Sequence, residues 1–172
     1  MSSLVGLMGS GKSTVGKLLA AGLGLPLIDS DASIESSEGM SARTVARQRG
    51  IDELHRIEAA VLIEALAAGE RSVIAAAAST IEDPACQGAL ADPTATAVWL
   101  RASPERLAGR VRRGGHRPMV VQDEAESRIA VLTHQAKVRD PLFRAIADTA
   151  VEVSNRPPAS VAAEILARIE SA

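Results

Sequence analysis

The stretch GLMGSGKS, from Gly6 to Ser13, decides the fold class of this 172-residue chain. It fits the pattern GxxxxGK[ST] without a mismatch, directly after a short apolar run and at the start of a helical pattern. Glycines permit the tight turn and leave amide hydrogens facing inward, while the helix N-terminus adds positive potential. An accidental glycine turn would have to meet both the full pattern and its strand-to-helix context. The sequence therefore predicts a loop that holds the phosphates of a nucleotide.

The residues of this loop have separate expected roles. Lys12 supplies a mobile positive charge for the outer phosphates, and Ser13 places its hydroxyl group on Mg²⁺. The rest of the predicted nucleotide-binding set in the loop is Gly9, Ser10, Gly11 and Thr14. GTPases, ATPase motors and transport subunits share this loop, so the motif alone does not identify a kinase.

Five short apolar runs alternate with longer segments that carry apolar residues at helical spacing. The runs are predicted as strands at Leu4–Leu7, Pro26–Ile28, Ser72–Ala76, Ala97–Leu100 and Ala150–Val153. The predicted helices are Lys12–Leu23, Asp52–Ala68, Pro104–Arg113, Glu124–Val138 and Ser160–Ile169. Because strands separated by helices pair in parallel, we expect a three-layer α/β/α P-loop NTPase fold with a five-stranded parallel sheet. The length fits a single domain over residues 1–172.

The composition argues against several classes of partner. A net charge of −2, from 19 basic and 21 acidic residues, gives no electrostatic reason to expect nucleic acid or an anionic membrane. Trp99 and Phe143 are too few aromatic residues to form a base-stacking surface. The single cysteine, Cys86, excludes a disulfide within the chain, and no apolar run reaches membrane-spanning length. We therefore expect a cytoplasmic monomer with a small-molecule partner.

Two carboxylates follow the second predicted strand, where the sequence reads Leu27-Ile28-Asp29-Ser30-Asp31. Open parallel sheets bind ligands beyond the carboxyl ends of their strands, so both acids can face the phosphate loop. One acid would order water on Mg²⁺, and the other would hydrogen-bond an attacking hydroxyl group and accept its proton. The alternative for either acid is a helix N-cap. Both interpretations stay open at this point.

Several widely spaced segments, in this order, resemble the shikimate kinase family along almost the whole chain. Gly6–Ala20 is similar to the family's opening loop and helix, and Leu27–Gly39 to its DxD strand end. Gly50–Glu58 resembles the family's GExxFRxxE segment. Arg117–Met119 resembles its lid motif RPLL, and Arg139–Ala147 its RxPLYxxxA segment. The resemblance implies ATP-dependent phosphorylation of a small-molecule hydroxyl group.

This resemblance also implies roles for individual side chains. Asp29 would organise Mg²⁺ through water, and Asp31 would contact the acceptor hydroxyl group as its base. Arg117 would close over the phosphates from a mobile lid at about residues 114–123. An arginine brought in by such closure can neutralise the charge on the transferring phosphoryl group while water is excluded. Arg139 would clamp a carboxylate of the substrate.

The adenine side is also assigned by the resemblance. Arg110, Arg156 and Pro158 fall where the family encloses the adenine of ATP. Arg110 has a simpler alternative, because arginines on the helix Pro104–Arg113 can belong to a solvated face. A solvent-exposed loop residue is likewise the alternative for Arg117.

The chain departs from the family on the acceptor side. His55 stands where the family has an arginine, and histidine cannot offer the planar fork that grips a carboxylate through two parallel bonds. The adjacent Arg56 points about 100 degrees away around the helix, so we expect it on the surface. The family's three glycines align with Ala77, Ala78 and Ser79. This segment either keeps its path and narrows the pocket, or it relaxes to negative φ and moves its amides.

Three hypotheses remain on sequence grounds. The first is phosphorylation of shikimate to shikimate 3-phosphate, with His55, Ala77, Ala78 and Arg139 in an altered substrate pocket. The second is a related kinase that acts on a different cyclic polyol or alcohol, which His55 and the alanine run favour. The third is a nucleotide-binding protein without catalytic activity, which would be expected to lack a catalytic carboxylate or the lid arginine.

Overall fold

The computed structural model describes residues 1–111 and 125–171, which contain a five-stranded, fully parallel sheet. The strands are β1 (Ser2–Val5), β2 (Leu27–Asp29), β3 (Val73–Ala75), β4 (Thr96–Arg101) and β5 (Thr149–Glu152). They are arranged in the order β2-β3-β1-β4-β5. The carboxyl ends of β1, β2 and β3 are therefore neighbours, and the site is built beyond that edge.

Helices cover both faces of the sheet. One face carries α1 (Lys12–Leu23) and α8 (Pro158–Glu170). The other face carries α4 (Ile51–Ala67), α5 (Pro84–Leu90), α6 (Pro104–Val111) and α7 (Ala125–Ile146). Two further helices, α2 (Ser30–Glu38) and α3 (Ala42–Arg49), share a smaller core with α4. The predicted three-layer α/β/α arrangement is confirmed.

The strands alternate between the two hydrophobic layers. Leu4 of β1 and Val98 of β4 pack in the layer with α1 and α8, whereas the next residues, Val5 and Trp99, pack in the opposite layer. Successive side chains of a strand point to opposite faces, so a strand between two helix layers carries apolar residues on both faces. This is why the strands appear in the sequence as short continuous apolar runs.

The five predicted strands are all present, with ends shifted by one or two residues. None of the five predicted helices covers α2, α3, α5 or the 3₁₀ helix at Thr80–Glu82. The fourth predicted helix was expected to end at Val138, but α7 continues to Ile146. Within residues 1–111 and 125–171, no helix combines the length and the apolar character needed to cross a membrane.

The turn after β1 depends on Gly6. Its φ is +141°, and a Cβ at this position would lie 2.6 Å from the carbonyl oxygen of Leu100. Because that oxygen belongs to the backbone of β4, it cannot move away cheaply. A glycine is therefore required for the chain to leave the centre of the sheet and enter the phosphate loop.

Candidate active site

The phosphate loop has the backbone conformation that its sequence predicts. Gly9 and Gly11 have φ values of +83° and +96°, in a region that favours glycine. Gly11 is the N-cap residue of α1, and the Val15 amide donates to its carbonyl oxygen at 2.9 Å. The Lys12 Nζ donates to the carbonyl oxygens of Gly6 at 2.7 Å and Leu7 at 3.2 Å. The ammonium group is thus held across the loop, next to the expected position of the phosphates.

Asp29 ends β2 and caps α2. Its Oδ1 accepts hydrogen bonds from the amides of Asp31 at 3.1 Å and Ala32 at 3.4 Å. The N-cap alternative is therefore correct for one oxygen of Asp29. The other oxygen, Oδ2, is buried and has no hydrogen-bond partner among the described residues. Buried carboxylate oxygens normally have partners, so Oδ2 is available to a ligand.

One cleft brings the phosphate loop and the acceptor residues together, and we call it the main cleft. From the phosphate loop and the end of β2 it is lined by Gly9, Gly11, Lys12, Ser13, Asp29 and Asp31. From α4, α7 and the segment after β3 it is lined by His55, Glu58, Ala77, Ala78, Ser79 and Arg139. The structure therefore collects around one space residues that are separated by more than a hundred positions in the sequence.

His55 faces this cleft from α4. Its partial burial lowers its pKa below the usual range, and the positive charge of Arg139 lowers it further. Glu82 and Asp52 act in the opposite direction, and the net shift favours the uncharged imidazole. Arg56 makes a two-pronged ion pair with Glu53, at 2.7 and 2.8 Å, and its side chain is 68% exposed. The expectation that Arg56 lies on the surface is confirmed.

Arg139 is already paired within the protein. Its Nε and Nη2 donate to the carboxylate oxygens of Glu82 at 3.1 and 3.2 Å, and its side chain is 6% exposed. Glu82 lies at the end of the 3₁₀ helix, 57 residues away in sequence. A guanidinium group has five N–H donors, so a pair with Glu82 still leaves capacity for a second carboxylate. No motif or spacing in the sequence pointed to Glu82.

Glu58 is a second functional candidate that the sequence reasoning left without a role. It is 8% exposed and accepts a hydrogen bond from the Ser79 hydroxyl group. Burial raises the pKa of Glu58 to about 7, and the negative charge of Asp31 also raises it. The Ser79 hydrogen bond, Arg139 and Lys12 act in the opposite direction. A glutamate on the apolar face of α4, next to Ile57, was the available sequence signal.

The segment in place of the family's three glycines has an ordinary backbone conformation. Among the described residues no residue other than glycine has positive φ, and Ser79 itself has a φ of −73°. The Ala77 amide donates to the Ser30 Oγ at 3.1 Å. Of the two alternatives for this segment, negative φ is therefore the correct one.

A second cleft lies on the other side of the phosphate loop. It is lined by Gly9, Ser10, Gly11, Thr14, Arg110, Arg156 and Pro158. Arg110 donates to the carbonyl oxygens of Val153 at 2.6 Å and Ser154 at 3.1 Å, so its guanidinium group is turned toward the end of β5. Arg156 pairs with Glu164 and also donates to the Ser160 carbonyl oxygen at 3.2 Å. The predicted adenine-side residues thus share one cleft.

Arg117 and the predicted lid at about residues 114–123 lie outside the described residues. The described residues alone place a phosphate loop against an acidic strand end in a five-stranded parallel sheet. That arrangement belongs to the P-loop kinases, which transfer the terminal phosphoryl group of ATP to a hydroxyl group.

This chain is a member of the shikimate kinase family, whose family model matches residues 8–170. The shikimate kinase of Pseudomonas syringae pv. tomato is 38% identical over 167 residues, which cover 96% of this chain and 94% of that protein. The shikimate kinase of Mycobacterium bovis is 35% identical over 170 residues, covering 97% and 92%. Shikimate kinase from Acinetobacter baumannii in complex with shikimate superimposes with a TM-score of 0.87 at 30% identity, covering 99% and 92%.

Proposed function

We propose that this protein phosphorylates a hydroxyl group of shikimate, using ATP and Mg²⁺, to give shikimate 3-phosphate. The observation that carries the proposal is the main cleft, in which Lys12, Asp31 and Arg139 line one space. These three side chains supply what the transfer needs: a charge for the phosphates, a base for the hydroxyl group and a cation for the carboxylate. Membership of the shikimate kinase family supports the same activity.

The reaction divides among these residues. Lys12 leaves the carbonyl oxygens of Gly6 and Leu7 and pairs with the outer phosphates of ATP. Asp31 accepts the proton of the attacking hydroxyl group, and Arg139 holds the acceptor's carboxylate. Because Glu82 already occupies part of the Arg139 guanidinium group, the acceptor shares this arginine with a protein carboxylate.

The residues present fit a magnesium ion. Ser13 and Asp29 both line the main cleft, and Asp29 Oδ2 is the buried oxygen without a partner among the described residues. Oxygen ligands, completed by water and phosphate, suit Mg²⁺. When bound, the ion neutralises charge on the phosphates. Ser13 would bind it directly, and Asp29 would hold a water on it.

Product analysis tests the identity of the acceptor. Purified protein is incubated with MgATP and a panel that contains shikimate, quinate, dehydroshikimate and assorted polyols, and products are identified by mass spectrometry. We expect shikimate 3-phosphate from the wild type, and losses of several orders of magnitude in kcat for Lys12→Ala and Asp31→Asn. Turnover of a polyol in preference to shikimate would overturn the proposed acceptor.

A second candidate function has an observation in its favour. The uncharged imidazole of His55 and the methyl groups of Ala77 and Ala78 make this side of the cleft less suited to a carboxylate. A kinase for an uncharged cyclic polyol or related alcohol would use the same phosphate loop and the same base. The panel distinguishes this function from the first because it contains acceptors of both kinds.

A further inference from the structure

Gln135 lies on α7 about one turn before Arg139 and lines the main cleft. Residues four positions apart share one face of a helix. The amide of Gln135 and the guanidinium group of Arg139 therefore approach the acceptor from the same direction. Neither the phosphate motif nor the segments that resemble the family give Gln135 a role.

The side chain of Gln135 has an unmet hydrogen-bonding capacity. The residue is 7% exposed, and its Oε1 is buried without a hydrogen-bond partner among the described residues. An unpaired buried oxygen weakens a fold, so its presence calls for an explanation. A side-chain amide has one acceptor oxygen and two N–H donors, and a half turn of the amide exchanges its two ends. A ligand that both donates and accepts would satisfy it in either orientation.

We propose that Gln135 is an acceptor-specificity residue whose side-chain amide hydrogen-bonds a hydroxyl group of the acceptor. A hydroxyl group both donates and accepts, so it complements the amide. The contacted hydroxyl group is not the reacting one, because Asp31 is the proposed partner of that one. The inference rests on the proposed function, since it requires an acceptor in the main cleft. Gln135 and Arg139 together would select a ring that carries a carboxylate close to a hydroxyl group.

The test compares wild type with Gln135→Leu in steady-state kinetics. For shikimate we expect the KM of the variant to rise by about tenfold, the typical effect of one lost hydrogen bond. The kcat should change by less than about threefold and the KM for MgATP should stay constant, because the contact is made equally before and during transfer. Shikimate analogues that each lack one non-reacting hydroxyl group identify the contact. With the analogue that lacks it, wild type and variant should have equal KM values.

Thermal unfolding without ligands separates recognition from a structural role. If Gln135 serves the acceptor, Gln135→Leu should raise Tm, because an apolar side chain of similar size removes an unpaired buried oxygen. A structural role predicts the reverse, a lower Tm with an unchanged KM for shikimate. His134→Leu is the matched control, since His134 is exposed on the same helix and should change neither quantity.

The outcomes distinguish this inference from the proposed function. If wild type phosphorylates shikimate but the KM of Gln135→Leu stays within twofold for shikimate and every analogue, only the role of Gln135 is overturned. If wild type prefers another acceptor, the proposed function fails, and the same kinetic comparison with that acceptor decides the role of Gln135. If wild type phosphorylates no acceptor in the panel, both fail.

Discussion

His55 is the residue through which the main cleft differs most in charge from the family pattern. An arginine would carry its positive charge at any physiological pH, whereas burial and Arg139 lower the pKa of this imidazole. Arg139 is also paired with Glu82. The positive charge available to a carboxylate is therefore reduced both at position 55 and at Arg139. In the proposed function, the acceptor's carboxylate would therefore be held more weakly than by two free guanidinium groups.

Replacing His55 with arginine should strengthen the binding of shikimate. We expect His55→Arg to lower the KM for shikimate by about tenfold, because a charge-assisted two-pronged hydrogen bond contributes roughly 1.5–3 kcal/mol before the cost of burying the new charge. Initial rates with varied shikimate measure this change. His55→Lys is the control, since it adds the charge without the planar fork and should gain less. An unchanged or higher KM in His55→Arg would contradict this account of the pocket.

Glu58 makes stability depend on pH. A solvated glutamate has a pKa of 4.5, whereas the pKa of Glu58 is about 7 in the folded protein, so the folded state binds this proton more tightly. The stability contributed by this proton is fully present below pH 4.5 and is lost as pH rises through 7. Glu58→Gln, which can still accept from Ser79, should therefore stabilise the protein by roughly 3 kcal/mol more at pH 8 than at pH 4.

Urea unfolding of wild type and Glu58→Gln at several pH values measures this difference. Glu64→Gln is the matched control, because Glu64 is exposed on the same helix. A stability difference between wild type and Glu58→Gln that stays constant from pH 4 to pH 8 would show that Glu58 keeps an ordinary pKa.

At the scale of residues, the sequence predicted contacts between residues that are close together in the chain and missed contacts between residues that are far apart. The phosphate loop is one contiguous motif, so its sequence contains the whole geometry. The pairs Arg139 with Glu82 and Ser79 with Glu58 join positions 57 and 21 residues apart, and no spacing rule predicts them. Asp29 combines a local contact with an unexplained one. One carboxylate oxygen caps α2, and the other is buried without a hydrogen-bond partner among the described residues.

Among the elements, α2 has Asp29 as its N-cap. Different substitutions of Asp29 can therefore separate its effect on stability from its proposed effect on catalysis. Asp29→Asn keeps an oxygen for the cap, so the free energy of unfolding should change by less than about 0.5 kcal/mol while kcat falls by about 100-fold. Asp29→Ala should show the same loss of kcat and a further loss of about 1 kcal/mol in stability. Urea unfolding and Mg²⁺-dependent initial rates measure the two quantities. Equal activity of Asp29→Asn and wild type would exclude a role for this carboxylate in catalysis.

The helices α2 and α3 were missed because they bury few side chains. Ser30 and Ile34 are the buried residues of α2, and Ala42 and Val45 those of α3. One or two apolar contacts over two turns produce no visible helical period. The sequence does contain residues typical of their ends. Asp29 and Ser41 are N-caps, and Gly39 has the left-handed conformation of a C-cap.

The apolar spacing placed the end of α7 at Val138, before Pro141, a residue that normally ends a helix. Here the helix continues past the proline, and its last turn is held by Phe143, which is 1% exposed and stacks on Trp99 with ring centroids 5.8 Å apart. Tertiary burial of an aromatic ring outweighs the one lost backbone hydrogen bond. Burial of that kind is not visible in a local pattern.

For the whole molecule, nucleotide binding should appear as a gain in stability. MgATP at about 100 times its Kd stabilises the folded state by about 2.7 kcal/mol, which corresponds to a rise in Tm of about 5–10 °C for a chain of this size. Thermal unfolding with and without MgATP measures the shift. Lys12→Ala should reduce it strongly while leaving the Tm without ligand nearly unchanged. Equal shifts in wild type and Lys12→Ala would mean that the nucleotide binds elsewhere.

The overall architecture could be predicted because a parallel sheet between helix layers has a simple sequence pattern. The strands carry apolar residues on both faces, and each connection is long enough for a helix. The boundaries were less accurate at β1, where Ser2 and Ser3 are buried in the strand although serine is a polar residue. Strand pairing hides those backbone groups from solvent regardless of the side chains.

The hydrogen bond from the Ala77 amide to the Ser30 Oγ joins the start of α2 to the segment after β3. Ser30 is 3% exposed and directly precedes Asp31, so this hydrogen bond ties the proposed proton acceptor to the Ala77 segment of the main cleft. Displacing the Ala77 segment would therefore break this hydrogen bond and disturb the start of α2. An acceptor that required more room between Asp31 and the Ala77 segment would have to break this hydrogen bond.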